Sequence, residues 1–178
     1  VAIAKYWTNK RCAYFVNEAM ECLGGAGYVE ESILPRLYRE APLNGIWEGS
    51  GNVICLDVLR AMQRHPSVTE LLLTELSKCR GANPDYDHRL EQLKSQLLSV
   101  SKLSASEAQH QARKLTESIA LQLQAAELLS GQDTDLVAEA FIRSRLCRQR
   151  GMVFGTLPAG LSAAKLVARV VPTSHSCQ

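Results

Sequence analysis

Residues 21–28 read ECLGGAGY and residues 37–52 read LYREAPLNGIWEGSGN, so two glycine-rich turns flank a short charged run. Glycine has no side chain, and backbone amides at such turns can therefore approach a phosphate or a flat cofactor closely. Glu48 follows an aromatic residue at a glycine turn that opens a helix, which is a suitable position for a general base. Residue types alone nevertheless favour the simpler interpretation, two ordinary helix connections with a surface glutamate, because short glycine motifs often occur by chance.

The composition is typical of helices packed on helices. Hydrophobic residues make up 46% of the 178 residues and aromatic residues only 6%, while Leu and Ala are abundant. No stretch alternates with the two-residue period of a strand, so we predict an all-α fold. A net charge of +2 provides no global field that would attract nucleic acid or an acidic membrane. No apolar run reaches the ~20 residues of a membrane span.

The cysteines indicate a reducing compartment. No two of the six form a C-x-x-C pair, which argues against a zinc site, and no metal ligand is predicted. Four lie in apolar helical stretches, as buried free thiols do, so we expect an intracellular protein. The chain begins inside a helical pattern, and we expect it to be a piece of a longer protein, which leaves mitochondrial and cytoplasmic locations undecided. The six are Cys12, Cys22, Cys55, Cys79, Cys147 and Cys177.

Apolar spacing predicts three helical segments in the first part of the chain. The first covers residues 1–23 and stops at two glycines. The second covers residues 28–39 and is broken near Pro35. The third runs from Ile46 to Arg64 and ends before a proline. Their expected inner faces consist of Cys12, Phe15, Val16, Ala19, Leu23, Cys55, Leu56, Leu59 and Met62.

The rest of the chain carries further helix signals. Capping boxes at Ser67 and Ser104 each predict a helix start. Pro84 is expected at the first position of a further helix between these two regions of the chain, after the turn at residues 81–83. Gly131 should end a long helix, and Asp133 should cap the next one. A last helix, stopped by Pro172, should be lined by Leu157, Leu161, Ala164, Ala168 and Val171.

The two quoted stretches resemble the acyl-CoA dehydrogenase family. Members read Gln-x-x-Gly-Gly-x-Gly, then Arg-Asp-Ala, then Ile-Tyr-Glu-Gly-Thr-x-Gln. Residues 21–27, 39–41 and 46–52 match these elements, and the spacings between them match as well. The chain is thus similar to the C-terminal helical domain of that family. Residues 38–42, residues 47–52 and the long helical tail are most similar to its alkylation-response (AidB) branch.

This resemblance implies an organisation and an activity. Residues 1–65 would form part of the dehydrogenase helical bundle, and residues 66–178 would form an extra AidB-like helical domain. The parent protein would be an FAD-dependent acyl-CoA dehydrogenase, a homo-oligomer (tetramer or dimer) that introduces an α,β double bond into a fatty acyl-CoA. Glu48 would remove the α-proton while hydride passes to the flavin. The isolated chain would lack most of the flavin site and would be inactive.

The resemblance also implies roles for other residues. Cofactor contacts fall on Glu21, Gly24, Gly25, Ser50 and Asn52, and substrate contacts fall on Gly49 and Arg60. Glu21 departs from the family's Gln, and a carboxylate beside a diphosphate is repulsive. Ser50 and Asn52 have a second interpretation as helix N-caps. For Arg60 an ordinary solvated position is favoured.

The alternative function is an AidB-like flavoprotein binding module whose helical tail binds DNA, lipid or a partner subunit. The basis for DNA contact is a group of four arginines, Arg143, Arg145, Arg148 and Arg150. At about 100° per residue these arginines fall on two nearly opposite helix faces rather than in one stripe. Acidic residues nearly balance the basic ones in this region, so nucleic-acid contact is disfavoured against a solvated or subunit-contacting helix. Arg36 and Arg39 are better interpreted as members of structural ion pairs than as substrate ligands.

Overall fold

The prediction of an all-α fold is confirmed. A computed structural model of the protein describes residues 1–147 and 151–170, and within those ranges the chain contains helices and no strand. Two short non-α segments continue α-helices: a 3-10 turn (Ala41–Gly45) follows the helix that ends at Glu40, and a π-helical turn (Ile142–Leu146) follows the helix that ends at Phe141. The helices are α1 (Ala2–Cys22), α2 (Gly25–Tyr28), α3 (Leu34–Glu40), α4 (Gly51–Arg64), α5 (Pro66–Ser77), α6 (Pro84–Ser101), α7 (Ala105–Ser130), α8 (Asp135–Phe141) and α9 (Ala163–Ala168).

The long helix α7 lies at the centre of the fold. It packs against α1, α4, α6 and α8, and small residues such as Ala112 and Ala125 allow these neighbours to approach closely. Tyr6 of α1, Cys55 of α4 and Leu90 of α6 belong to one buried cluster with residues of α7. The two predicted regions therefore share one core, in which α7 covers the junction of α1 and α4. The predicted boundary between residues 65 and 66 lies between α4 and α5 and remains a prediction.

A buried tyrosine joins α5, α6 and α7. The side chain of Tyr86 is fully buried, and its hydroxyl donates a 2.6 Å hydrogen bond to the Leu76 carbonyl. Gln122 Nε2 donates to the Tyr86 carbonyl at 3.2 Å. Burial disfavours the phenolate and raises the pKa of Tyr86 to about 12.

Two predicted helix starts are confirmed in their geometry. Ser104 Oγ accepts a hydrogen bond from the Glu107 amide, and the Glu107 carboxylate accepts from the Ser104 amide, which completes a capping box. Asn83 Oδ1 accepts from the Asp85 and Tyr86 amides, and Pro84 occupies the first helical position.

The helix predicted from Ile46 is wrong at its start, since α4 begins at Gly51. Glu48 and Gly49 have φ angles of 53° and 106°, and this backbone cannot continue a right-handed helix. The segment predicted over residues 28–39 is divided as well, since Tyr28 ends α2, residues 29–33 are not helical and α3 covers Leu34–Glu40. Pro35 does not break α3 but lies in its first turn, where a missing amide costs nothing.

Two further helix starts differ from the predictions. The box at Ser67 does not form, because Pro66, with its fixed φ, begins α5 one residue earlier. Asp133 does not cap α8: it has a φ of 54°, and Thr134 is the residue that precedes the helix. The last helix is shorter than predicted and ends at Ala168. Val171 and Pro172, which the prediction included, lie outside the described residues, as do Cys177 and two of the four arginines.

The predicted inner face of α1 is only partly buried. Val16 is buried, but the Phe15 side chain is 65% exposed and Leu23 is 55% exposed. The helix turns Tyr6 and Trp7 toward α4 and α7 instead, because those are the elements that pack on it. On α4 the prediction holds for Cys55, Leu59 and Met62, which are buried, while Leu56 is partly buried against the core.

Candidate functional site

The turn that carries Glu48 lies between the 3-10 turn and α4. Its side chain is exposed, and its backbone occupies the left-handed region, which few residues other than glycine adopt. Gly49 follows with a φ of 106°, which side chains do not tolerate. Two consecutive positive φ angles reverse the chain and direct it into α4. The carboxylate therefore stands at the entrance of that helix, with its backbone in a strained conformation.

Two side chains of α1 hold this turn and the 3-10 turn before it, and the sequence analysis did not assign a role to either. Lys5 Nζ donates to the carbonyls of Trp47 and Glu48, at 2.8 and 2.9 Å. Asn9 Nδ2 donates to the Asn44 carbonyl at 2.6 Å. Lys5 and Asn9 are four residues apart and so share one face of the helix. That spacing is the signal that was present in the sequence, although it does not identify what the face contacts.

The first turn of α4 lies directly against α1. A Cβ on Gly51 would collide with the end of the Lys10 side chain and would come within 3.3 Å of Tyr6. Beneath this junction lies the buried Cys55 thiol. Burial raises the pKa of both Cys55 and Tyr6, so both groups stay protonated near neutral pH.

Ser50 and Asn52 flank the start of α4 in different ways. Ser50 occupies the N-cap position, but its side chain makes no capping hydrogen bond. Asn52 Oδ1 accepts from Arg113 Nε of α7 at 3.2 Å. The capping interpretation therefore fits the position of Ser50 but not its side chain, and Asn52 is tied to the tail region. The positive end of the α4 dipole faces the same surface.

The other predicted cofactor residues form a separate patch at the end of α1. Glu21 is exposed and accepts a 2.6 Å hydrogen bond from Asn17 Nδ2. Gly24 has a φ of 57°, and neither Gly24 nor Gly25 has any atom within 4 Å of an added Cβ. Glu21 is eleven residues beyond Lys10, so this patch lies about 16 Å along α1 from the start of α4.

Arg60 lies away from the Glu48 turn. It is nine residues beyond Gly51, roughly 13 Å along α4. Its guanidinium pairs with Asp57 at 2.5 Å, and both side chains are more than half exposed. The structure thus separates the two predicted substrate contacts, since Gly49 belongs to the turn and Arg60 to a solvated face of the helix.

The charged run between the two motifs forms surface ion pairs, as predicted. Arg36 pairs with Glu40 at 3.0 Å, and Arg39 makes a two-point contact with Glu30. The hydrogen bonds from Arg39 lower the pKa of the Glu30 carboxyl. Both pairs are exposed to solvent; the Arg36–Glu40 pair lies within α3, and the Arg39–Glu30 pair links α3 to the loop that precedes it.

The arginines of the tail are engaged within the chain where they are described. Arg143 pairs with Glu139 and donates to the Ala159 carbonyl, and Arg145 lies 5.7 Å from the centre of the Phe154 ring. Arg148 and Arg150 lie outside the described residues.

No group of acidic, histidine or cysteine side chains within residues 1–147 and 151–170 has the arrangement of a metal site. Among those residues no helix combines the length and the apolar character needed to cross a membrane.

Two adjoining clefts, of about 390 and 470 Å³, lie between α1 and residues 151–154. The Arg11 guanidinium lines both clefts and lies over the rings of Trp7 and Phe154, at 5.1 and 4.8 Å from their centres. Neither cleft is lined by Glu48 or by any predicted cofactor residue. The clefts therefore do not mark the predicted site, which is an open surface at the start of α4.

Comparisons with known proteins agree with the motifs. The family described as acyl-CoA dehydrogenase, C-terminal domain, matches residues 1–63. AidB of Escherichia coli (strain K12) is 47% identical over 108 residues, which cover 61% of this chain and 20% of AidB. Acyl-CoA dehydrogenase family member 11 of Caenorhabditis elegans is 33% identical over 100 residues, which cover 56% of this chain and 16% of that protein.

A solved structure shares the fold as well. Caenorhabditis elegans ACDH-11 in complex with C11-CoA superposes with a TM-score of 0.63 at 28% identity, over 82% of this chain and 28% of that chain. The matched part of the chain spans about a fifth or less of the length of AidB and of acyl-CoA dehydrogenase family member 11. Residues 1–63 thus match the C-terminal domain of the acyl-CoA dehydrogenase family, and the chain is similar to AidB.

Proposed function

We propose that this chain supplies one wall of the active site of an FAD-dependent acyl-CoA dehydrogenase, with Glu48 as the catalytic base. The observation that carries the proposal is the conformation of Glu48. A non-glycine residue in the left-handed region costs about 1–3 kcal/mol and persists where the surrounding structure holds it, most often at functional sites. Here Lys5 of α1 donates to the carbonyls of Trp47 and Glu48, and the Glu48 side chain is exposed.

The chemistry assigned to Glu48 is abstraction of the α-proton of an acyl thioester. The C–H electron pair stays on the α-carbon and forms the new double bond as a hydride leaves the β-carbon, and the proton moves to a carboxylate oxygen. Bound FAD would accept that hydride. Glu48 suits the role because its carboxylate is exposed on this chain and available to a substrate that is covered from the other side.

The residues near Glu48 fit a flavin only in part. The free Ser50 hydroxyl and the positive end of α4 suit the polar edge or a phosphate of the cofactor. Gly25 needs to be glycine neither for a positive φ nor for space within the described chain, so a close approach by a group outside the chain gives it a reason. Glu21 does not fit, because its charge would repel a diphosphate.

The resemblance to the acyl-CoA dehydrogenase family supports a homo-oligomer, because it implies that Gly24 and Gly25 contact the flavin of a neighbouring subunit. The patch at Glu21–Gly25 lies about 16 Å along α1 from the point where the start of α4 packs on that helix. We assign them to two different flavins, so that each cofactor contacts two subunits of a dimer or tetramer. The isolated chain would then be inactive, since it presents Glu48 on an open surface.

The substrate class and the location follow from the same proposal. ACDH-11 was solved with C11-CoA, and that relative supports a fatty acyl-CoA as the substrate and fatty acid metabolism as the setting. The buried free thiols of Cys55 and Cys79 support a reducing, intracellular compartment.

The test uses the complete enzyme that carries this chain, purified with its flavin. Acyl-CoAs of several chain lengths are added without oxygen, and the visible flavin band is recorded. We expect one range of chain lengths to bleach the band, Glu48→Gln to abolish bleaching while flavin content stays the same, and the matched exposed variant Glu70→Gln to behave as wild type. A bound flavin that no acyl-CoA bleaches would refute the dehydrogenase function and favour the alternative, an AidB-like binding module.

A further inference from the structure

The ammonium group of Lys5 bridges two successive carbonyl oxygens that are more than forty positions away in the sequence. Its distances to Trp47 O and Glu48 O are 2.8 and 2.9 Å. In an extended chain successive carbonyls point to opposite sides, so one cation can reach both only where the backbone turns. The Lys5 contacts are therefore specific for the turn conformation of Trp47 and Glu48.

That conformation needs an external constraint. Glu48 has a φ of 53°, which a free chain seldom adopts at a glutamate, and the rotation at this residue determines the direction in which its side chain leaves the backbone. A hydrogen bond from a charged donor to each flanking carbonyl favours this rotation over the relaxed alternatives. The residue type at position 48 does not itself favour a positive φ, because the glycine suited to that conformation is the next residue, Gly49.

The helix that carries Lys5 is itself firmly anchored. Tyr6, the next residue, is buried in the core, and Trp7 Nε1 donates to Gln124 Oε1 of α7 at 2.7 Å. One helical turn further along α1, Asn9 donates to the Asn44 carbonyl, in the 3-10 turn that leads into this segment. The α1 helix thus holds both ends of the segment and transmits the rigidity of the core to it.

We propose that Lys5 is a positioning residue for Glu48. It fixes the backbone at Glu48 and so aims the carboxylate, while contacting neither substrate nor cofactor. The inference rests on the function proposed for Glu48, but the mechanical part, that Lys5 orders the turn, can be measured without any cofactor. Lys5→Met should release the turn and leave the fold intact, because the bonds of Lys5 are at the surface and the core cluster does not include it.

The first experiment measures hydrogen exchange in the 178-residue chain. The Ile46 and Trp47 amides both donate to the Leu43 carbonyl within the turn and report on its order. In Lys5→Met we expect these two amides to exchange about tenfold faster or more, while amides in the middle of α4 are unchanged. The control Lys94→Met removes a lysine of similar exposure that pairs with Glu91 on α6, and it should leave the turn unaffected. Lys5→Arg should restore part of the protection.

The second experiment measures turnover in the complete enzyme. Lys5→Met should lower kcat about tenfold or more with little change in KM or flavin content, and Lys5→Arg should recover part of the loss. Unchanged exchange at Ile46 and Trp47 in Lys5→Met overturns the proposal, and so does faster exchange combined with normal kcat. If no acyl-CoA bleaches the wild-type flavin, the proposed function fails and Glu48 needs no positioning, whereas the exchange result still decides whether Lys5 orders the turn.

Discussion

Gly27→Ala should destabilise the protein strongly, although Gly25→Ala, two residues earlier in the same short helix, should not. Gly27 is buried, and a Cβ at this position would overlap the carbonyl oxygen of Met20 and lie 2.9 Å from the Met20 carbonyl carbon. These are backbone atoms of α1, which cannot swing away as the end of a flexible side chain can. Relief requires that α2 move as a whole.

Overpacking of this kind costs typically about 1–3 kcal/mol, and the rigid neighbour places Gly27→Ala near the upper value, about 3 kcal/mol. For a protein of this size each kcal/mol lowers Tm by about 2–4 °C, so the expected decrease is about 6–12 °C. At Gly25 an added Cβ meets nothing within 4 Å. Gly25→Ala should be neutral or stabilising by about 0.5 kcal/mol, because alanine lowers the entropy of the unfolded chain.

The assay is thermal and urea unfolding of wild type and both variants, followed by circular dichroism at 222 nm. A Gly27→Ala protein as stable as wild type would refute the argument from the Met20 contact. Equal losses in both variants would refute the distinction between the two glycines. In the complete enzyme the order should reverse for the cofactor: Gly25→Ala should lower flavin content without lowering chain stability, because Gly25 is open to a group outside the chain.

Two further predictions concern stability. Tyr86→Phe should cost about 1–3 kcal/mol at pH 8, measured by urea unfolding, because it leaves the buried Leu76 carbonyl without its donor. The pKa of Tyr86 is raised from 10 to about 12 in the folded protein, so its contribution to the free energy of unfolding is complete below pH 10 and is lost as the pH rises toward 12. The difference in unfolding free energy between wild type and Tyr86→Phe should therefore shrink by about 1.4 kcal/mol at pH 11. A difference that stays constant with pH would contradict this. Ser104→Ala should lower Tm by about 2–4 °C at pH 7 through loss of the capping box. Hydrogen bonds from Ser104 lower the pKa of Glu107, so the box stabilises above the ordinary carboxyl pKa and the difference in Tm should diminish as the pH falls to 3; a larger difference at pH 3 would be evidence against the box.

Sequence reasoning succeeded where the signal is local. The Ser104–Glu107 box and the helix start at Pro84 depend on residues within a few positions of each other, and both formed as predicted. It failed where two local signals competed. At the start of α5 the fixed φ of Pro66 prevailed over the box at Ser67, and at the start of α4 the left-handed backbone of Glu48 prevailed over an apolar pattern that suggested a longer helix.

The candidate site was predictable as a motif but not as a geometry. The spacing of the glycines and Glu48 identified the segment and the family, because the residue types are themselves the signal. Nothing in that segment indicates that Lys5 donates to the carbonyls of Trp47 and Glu48, because these residues lie 42 and 43 positions from Lys5 in the sequence. The contact between Asn52 and Arg113, 61 positions away, is equally invisible along the chain.

By itself the sequence determined the all-α fold, several helix ends and the family that the first 63 residues match, because these follow from periodicity, from steric rules and from residue identities within a few positions. The tertiary structure alone decided which face of α1 is buried, that Gly27 must clear the Met20 carbonyl, and that Lys5 fixes the backbone of Glu48. Each of these depends on where distant segments meet. Packing around α7 brings those segments together, and no local preference encodes the distance between them.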